Sequence, residues 1–322
     1  MERTPEQQAL RTRRIATAAL LSVCVFWGAT FLWMEQGTDA LQRIHGDGNH
    51  AAVGAFFLFW RFVLAAALMP LLVPRSVKRL DRRALKWGFW LSVPFALGFL
   101  LQIFGLAQPD VPPGQSAFLT SLYVVTTPLL AALVYRRLPP RGVMLGVVLA
   151  VIGAAFMKGP PEGGLSIGAW ATIGCAVVFG AHILLTDHAT KLADPMAITL
   201  VMFLCSVGWN GLAVLLAPGG IAMFEPALLA QAFTDATFVS TELLCAVFAT
   251  VVAVSVLNRW QKELAPSRAA IVYTAEPVFA ATISIIAGRD HISGWLIFGA
   301  SMILLANLSA EFLRKRPRIA MP

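Results

Sequence analysis

The chain has 322 residues, of which 58% belong to the apolar set from Ala to Cys and only 13% are charged. A soluble domain carries roughly a quarter charged residues, and one of this length would expose large apolar patches, so composition excludes an ordinary soluble fold. The formal charge of +8 would point a soluble protein toward nucleic acid; here the basic residues sort by membrane side, and the expected partners are a lipid bilayer and a small-molecule substrate, with no nucleic acid.

The apolar residues come in blocks of the length that crosses a hydrocarbon core, about 20 residues. The reading is an all-α membrane fold with ten transmembrane helices, at 14–36, 50–73, 85–107, 113–135, 141–157, 165–186, 195–217, 237–257, 267–288 and 292–313. The first block follows Arg11, Arg13 and Arg14 but has no small-x-small cleavage site after it, so it reads as an uncleaved span. A polar segment, 37–49, follows as an external loop with Asp39, Arg43, His45, Asp47, Asn49 and His50. The stretch 218–234 is only weakly apolar and is placed in the interface.

Counting Lys and Arg on alternate sides gives 21 of the 25 on the side that holds both termini and three on the other, with Arg61 inside the second span. The positive-inside rule then places both termini in the cytoplasm of a multi-pass protein of the plasma (inner) membrane. Five spans per half is an odd number, so a duplicated half must be inverted. The fourth block, Ser116 to Ala132, and the ninth, Ser267 to Ala281, each carry a mid-helix Tyr, then a polar-Pro pair, then small residues. The turn-rich segment Lys158-Gly-Pro-Pro-Glu-Gly-Gly164 separates repeat 1, at 14–157 with spans 1–5, from repeat 2, at 165–313 with spans 6–10. Inverted repeats recur in secondary transporters, with the site near the midplane between them.

Five pieces in order resemble the drug/metabolite transporter superfamily, specifically its EamA-type members. They are Trp27-Gly-Ala-Thr-Phe31, Arg61-Phe62, Gly98 to Leu106, Ala117 to Pro128 and Glu276-Pro277. The turns after spans four and nine, Tyr135-Arg136-Arg137 and Gly288-Arg289-Asp290, depart from the family's acidic turn. The resemblance implies a central cavity lined by spans 1, 3, 4, 6, 8 and 9 and export or exchange of small metabolites by alternating access. It leaves amino acids, sugars, nucleotide derivatives and drugs all open as substrates.

Ionisable groups at mid-membrane cost about 2.5–3.5 kcal/mol on insertion scales and so are functional candidates. Glu276 directly precedes Pro277, which kinks the helix and frees a carbonyl; it is expected to bind substrate or carry a proton, unless it serves Arg61 or a helix terminus structurally. Pro128 is expected to kink the fourth span likewise. Arg61 and Glu242 are structural or coupling charges: Arg61 recognises an anion, snorkels or pairs with a carboxylate, and Glu242, like Glu35, faces interfacial water or acts in coupling. Trp27, Gln102, Tyr123, Thr126, Thr127, His182 and Tyr273 complete the substrate-binding candidates, although such groups also bond helices together. Trp209 and Asn210 belong to the same uncharged set.

Catalytic residues, cofactors and metals are not expected. Cys24, Cys175, Cys205 and Cys245 lie singly in apolar blocks without ligand spacing. Gly164-Leu-Ser166-Ile-Gly168 matches a hydrolase elbow, but opens a membrane span where the elbow needs a strand. Gly142, Gly146 and Ala150 form a small-residue face suited to packing within the fold or in a homodimer. Sparse polar groups at mid-depth favour a transporter; the alternative, an intramembrane enzyme or non-transporting assembly factor, rests on the two His and two Asp of 37–50.

Overall fold

The computed structural model describes residues 5–46, 50–157, 164–264 and 272–312, and all its regular structure is helical among the described residues. The first helix, α1 (Pro5–His45), runs well past the expected end at residue 36. The stretch read as a loop keeps a helical stripe, because Met34, Thr38 and Leu41 are buried on one side while its charges face away. The chain leaves the helix only at Gly46, whose φ of 84° is the left-handed conformation glycine adopts freely, and whose N–H bonds to Gln42 O at 2.8 Å. Asp47 and Asn49 of that segment lie outside the described residues, as do 158–163, 265–271 and 313 onward.

Helices α2 (His50–Leu72) and α3 (Arg75–Lys78) follow, and α4 (Arg82–Leu106) starts where the Asp81 side chain accepts from Ala84 N at 2.7 Å. The fourth apolar segment is divided into α5 (Pro113–Thr120) and α6 (Tyr123–Val134) by a turn at Ser121–Leu122. The break thus lies upstream of Pro128, which sits inside α6. Helix α7 (Arg141–Phe156) closes the first half. Helix α8 (Ile167–Ala189) is capped by Ser166, the serine of the elbow-like motif, whose hydroxyl accepts from Ala169 N at 3.2 Å. Helix α9 (Pro195–Leu216) starts at Asp194, which caps it and also pairs with Arg75 at 2.7 Å.

The weakly apolar 218–234 stretch forms a 3-10 turn (Gly220–Phe224) and α10 (Pro226–Thr234), seated on α2 through Phe224 against Phe56 and Phe233 against Trp60. Helix α11 (Ala236–Leu244) passes into a π-helical segment, Cys245–Val252, and then α12 (Ala253–Trp260). Helices α13 (Ala275–Ile286) and α14 (Gly294–Phe312) complete the fold.

Seven helical segments are long and apolar enough to cross a membrane, and three more apolar helices, Arg141–Phe156, Ala275–Ile286 and Gly294–Ala310, are shorter. Packing runs mainly between the halves. α2 lies on α9, α7 on α14, and α5 on α13; α4 lies on α8 as α1 does on α11, and α1 lies on α13 as α8 does on α6. Exchanging the first five segments for the second five maps this set onto itself. The small-residue face of α7 is consumed here: a Cβ on Gly146 would stand 2.9 Å from Ala306 O of α14, and Ser309 Oγ donates to Gly142 O at 3.2 Å.

Candidate functional site

Glu276 sits at the crossing of α1 and α13 and is 8% exposed. Its helix is interrupted by a turn at Thr274, so the carboxylate stands in the first turn of α13. Pro277 explains the break, since it has no N–H to bond one turn back and fits a first helical turn well. The partial positive end of the helix there favours a negative charge. The Tyr123 side chain, from α6 in the other half, stands next to the Glu276 carboxylate. The two crossing helices are close because Gly28 is a glycine: a Cβ there would meet Ala280 N at 2.8 Å and Glu276 O at 3.0 Å.

Around this carboxylate lie Cys24, whose Sγ donates to Val272 O at 3.4 Å, and Tyr273, whose buried hydroxyl has no hydrogen-bond partner among the described residues. Trp27, next to Gly28, points its indole N–H to Ala249 O in the π-helical segment at 3.0 Å. Trp27, Tyr123, Tyr273 and Glu276 thus gather near this crossing from three spans.

The mirrored crossing joins α8 to α6. A Cβ on Gly180 would stand 2.7 Å from Thr126 Oγ1 and 3.1 Å from Thr127 N. Thr126 Oγ1 donates to Ala176 O at 2.9 Å and Thr127 Oγ1 to Tyr123 O at 2.6 Å. Both hydroxyls are spent on backbone carbonyls. Gln102 is buried deeper between α4 and α5, with Nε2 donating to Thr120 Oγ1 at 3.4 Å and Oε1 unpartnered among the described residues.

Other candidates lie apart. His182 Nε2 is 3.4 Å from Met202 Sδ, and its ring lies 5.4 Å from that of Phe95, within the apolar packing of α8, α9 and α4. Trp209 Nε1 donates to Ser92 Oγ at 2.9 Å, and Asn210 Nδ2 to Ser206 O at 2.7 Å. Arg61 does not pair with Glu276. Its Nε donates to Thr250 Oγ1 at 3.0 Å, Nη1 to Met34 Sδ at 3.3 Å, and its guanidinium lies 4.8 Å from the Phe99 ring centroid. Glu242 is 2% exposed and so does not face interfacial water.

The bundle end where α1 terminates carries a cavity of about 790 Å³ between α1 and α11, lined in part by Trp33, Gln36, Asp39, Thr237, Ser240 and Arg289. Arg289 reaches Glu35 at 3.5 Å and Asp39 at 3.1 Å, while the neighbouring Asp290 accepts from Gly114 N at 2.9 Å, at the start of α5. None of the eight substrate-binding candidates borders this cavity. Sequence reasoning missed Thr250 and Cys245, which are plain positions until the π-helical segment turns them toward Arg61 and toward Thr30 of α1. Asp290 was visible only as a departure from a family turn.

The EamA-like transporter family model matches residues 14–158 and again 166–309. The chain belongs to the EamA-like transporter family. An uncharacterized transporter of Archaeoglobus fulgidus is 29% identical over 294 residues, covering 91% of this chain and 85% of the relative. A crystal structure of a protein that is 15% identical aligns with a TM-score of 0.57 over 92% of this chain and 96% of its own, which speaks to the fold alone. The chain is thus a multi-pass EamA-like membrane transporter, helical throughout its regular structure among the described residues.

Proposed function

We propose that this EamA-like protein is a secondary transporter that exports or exchanges a small metabolite by alternating access between two inverted five-span repeats, 14–157 and 165–313. The observation that carries this is the carboxylate of Glu276 held between the halves, at a break in its helix, against Tyr123 of the other half. A buried charge and a broken helix are both tolerated in a membrane only against protein or a water-filled path. The exchange-symmetric packing of the helices supports ten spans and the inverted arrangement. The bias of 21 of 25 basic residues to one side supports cytoplasmic termini in the plasma (inner) membrane.

In this reading Glu276 binds the polar end of the substrate, with Tyr123 and Tyr273 as hydroxyl partners and Trp27 as an apolar wall. Thr126, Thr127 and His182 support the helices that form the path and touch substrate little, because their polar atoms are already used or lie in apolar packing, while Gln102 keeps its Oε1, unpartnered among the described residues, for substrate. The cavity at the Arg289 end is an outer vestibule. From Gly28 to Gln36, α1 rises about 12 Å, which links Glu276 to that vestibule along one helix. The polar residues of 37–45, which favoured an enzyme when read as a loop, are helical and in part ion-paired.

Two experiments test the proposal. Reporter fusions after residues 45, 80, 162 and 322 should read outside, inside, outside, inside; an external C-terminus overturns the inverted repeat. A thermal-shift screen of the purified protein against amino acids, sugars and nucleotide derivatives should give a ligand whose stabilisation is lost in Glu276→Gln. Equal stabilisation of the variant overturns the role of Glu276.

A further inference from the structure

A second buried carboxyl group lies away from Glu276, and the transport reading does not use it. Glu242 lies in the last turn of α11 and is 2% exposed; neither of its carboxyl oxygens has a hydrogen-bond partner among the described residues. Arg61, 1% exposed on α2, is the charged group whose field acts on it. Yet no ion pair joins the two among the described residues, and the guanidinium bonds elsewhere. Its Nε and Nη1 bonds go to Thr250 and Met34, and its face lies on Phe99.

An ionised carboxylate without hydrogen bonds in an apolar interior is costly, and a buried Arg within reach would ordinarily take it as a partner. The arrangement fits a neutral carboxylic acid, which gives Arg61 no reason to leave Thr250. We propose that Glu242 is a proton-binding site, at which proton release transfers Arg61 from Thr250 to the newly formed carboxylate and proton uptake returns it. Atoms balance simply: the O–H bond of Glu242 breaks, the proton leaves to water, and the guanidinium stays charged throughout.

The consequence reaches the backbone. Thr250 Oγ1, which accepts from Arg61, itself donates to Cys245 O at 2.8 Å across the π-helical turn. The same segment accepts the Trp27 indole at Ala249 O, and Cys245 Sγ lies 3.4 Å from Thr30 Oγ1. π-helical turns occur often at functional sites, and this one is held by α1 and α2 together. Other titratable groups near Glu242 are few. Cys245, on its own chain segment, is the second group in its field, while Glu35 and Asp39 of α1 face Arg289.

The test follows the protonated-carboxyl infrared band of the full chain in liposomes during a pH titration in sodium-free buffer. Wild type should show a titrating band that is absent in Glu242→Gln and retained in Glu276→Gln, which separates this site from the substrate reading. Thr250→Val, which keeps Glu242 but frees Arg61 to pair with it, should move the midpoint to lower pH by a threefold or greater fall in proton affinity; this arm stands even if Glu242→Gln does not fold. A band unaltered by Glu242→Gln, a midpoint unmoved or raised in Thr250→Val, or a midpoint displaced by added sodium would each overturn the proposal.

Discussion

The two glycine crossings, α1 over α13 and α8 over α6, occupy equivalent places in the two halves and differ in chemistry. At the first, Gly28, beside Trp27, meets Glu276 and Ala280; at the second, Gly180, beside Phe179, meets Thr126 and Thr127. Both need a glycine for close approach, so the geometry is shared. The first crossing carries a carboxylate and an indole N–H, whereas the second carries hydroxyls that bond their own or a neighbouring backbone. The close packing belongs to the scaffold, and the charge belongs to one half alone. A site asymmetric in this way suits a substrate with one polar end.

Substitutions on the two sides would break or sharpen this contrast. Glu276→Gln is expected to insert normally and to lower flux of a ligand found by screening about 10–100-fold in proteoliposomes, because a hydrogen bond to a charged group contributes about 1.5–3 kcal/mol. Thr127→Val, at the equivalent place, should change flux less than about twofold; equal losses would erase the asymmetry.

Gly28→Ala should destabilise by about 1–3 kcal/mol, read as a lower Tm in detergent, since the added methyl meets backbone at 2.8 Å. Gly180→Ala should cost less, because its nearest neighbour is the Thr126 hydroxyl. A larger loss at Gly180 would show that α8, not α1, sets the spacing of the halves.

Trp27→Phe makes the first crossing resemble the second. It removes the donor to Ala249 O and should cost about 0.5–1.5 kcal/mol, measured by denaturation, with a smaller effect in a Phe179→Leu control on the apolar side. Smallest of all is Arg289→Gln. Its partners are partly exposed, so about 0–1 kcal/mol is expected, and a larger fall in Tm would mean that the vestibule end, not the crossing, holds the halves together.

Much of the scaffold was legible in the sequence. The starts of α8 and α9 follow from Ser166 and from Asp194-Pro195, a side-chain cap and a proline at the first helical position. The pairing of Glu276 with Pro277 flagged a break because both the charge and the missing N–H are local properties. The helical continuation of α1 was hidden, since Asp39, Gln42 and Arg43 outweigh a buried stripe one residue in three or four wide. The orientation of Arg61 was equally hidden: a polar partner for it lies on a π-helical turn, and the 3.6-residue period misplaces every side chain beyond such a turn. The separation of Arg61 from Glu276 is a fact of tertiary packing that no spacing in the chain records.

Arg289 and Asp290 are adjacent, yet they hold different things in different surroundings. The pairs from Arg289 to α1 are part-exposed, while the bond from Asp290 to Gly114 N is buried. Mobile ions screen charges in contact with water over about 8 Å at physiological ionic strength and reach buried groups far less. Raising salt therefore loosens the α1 side of this turn and leaves the α5 side fixed.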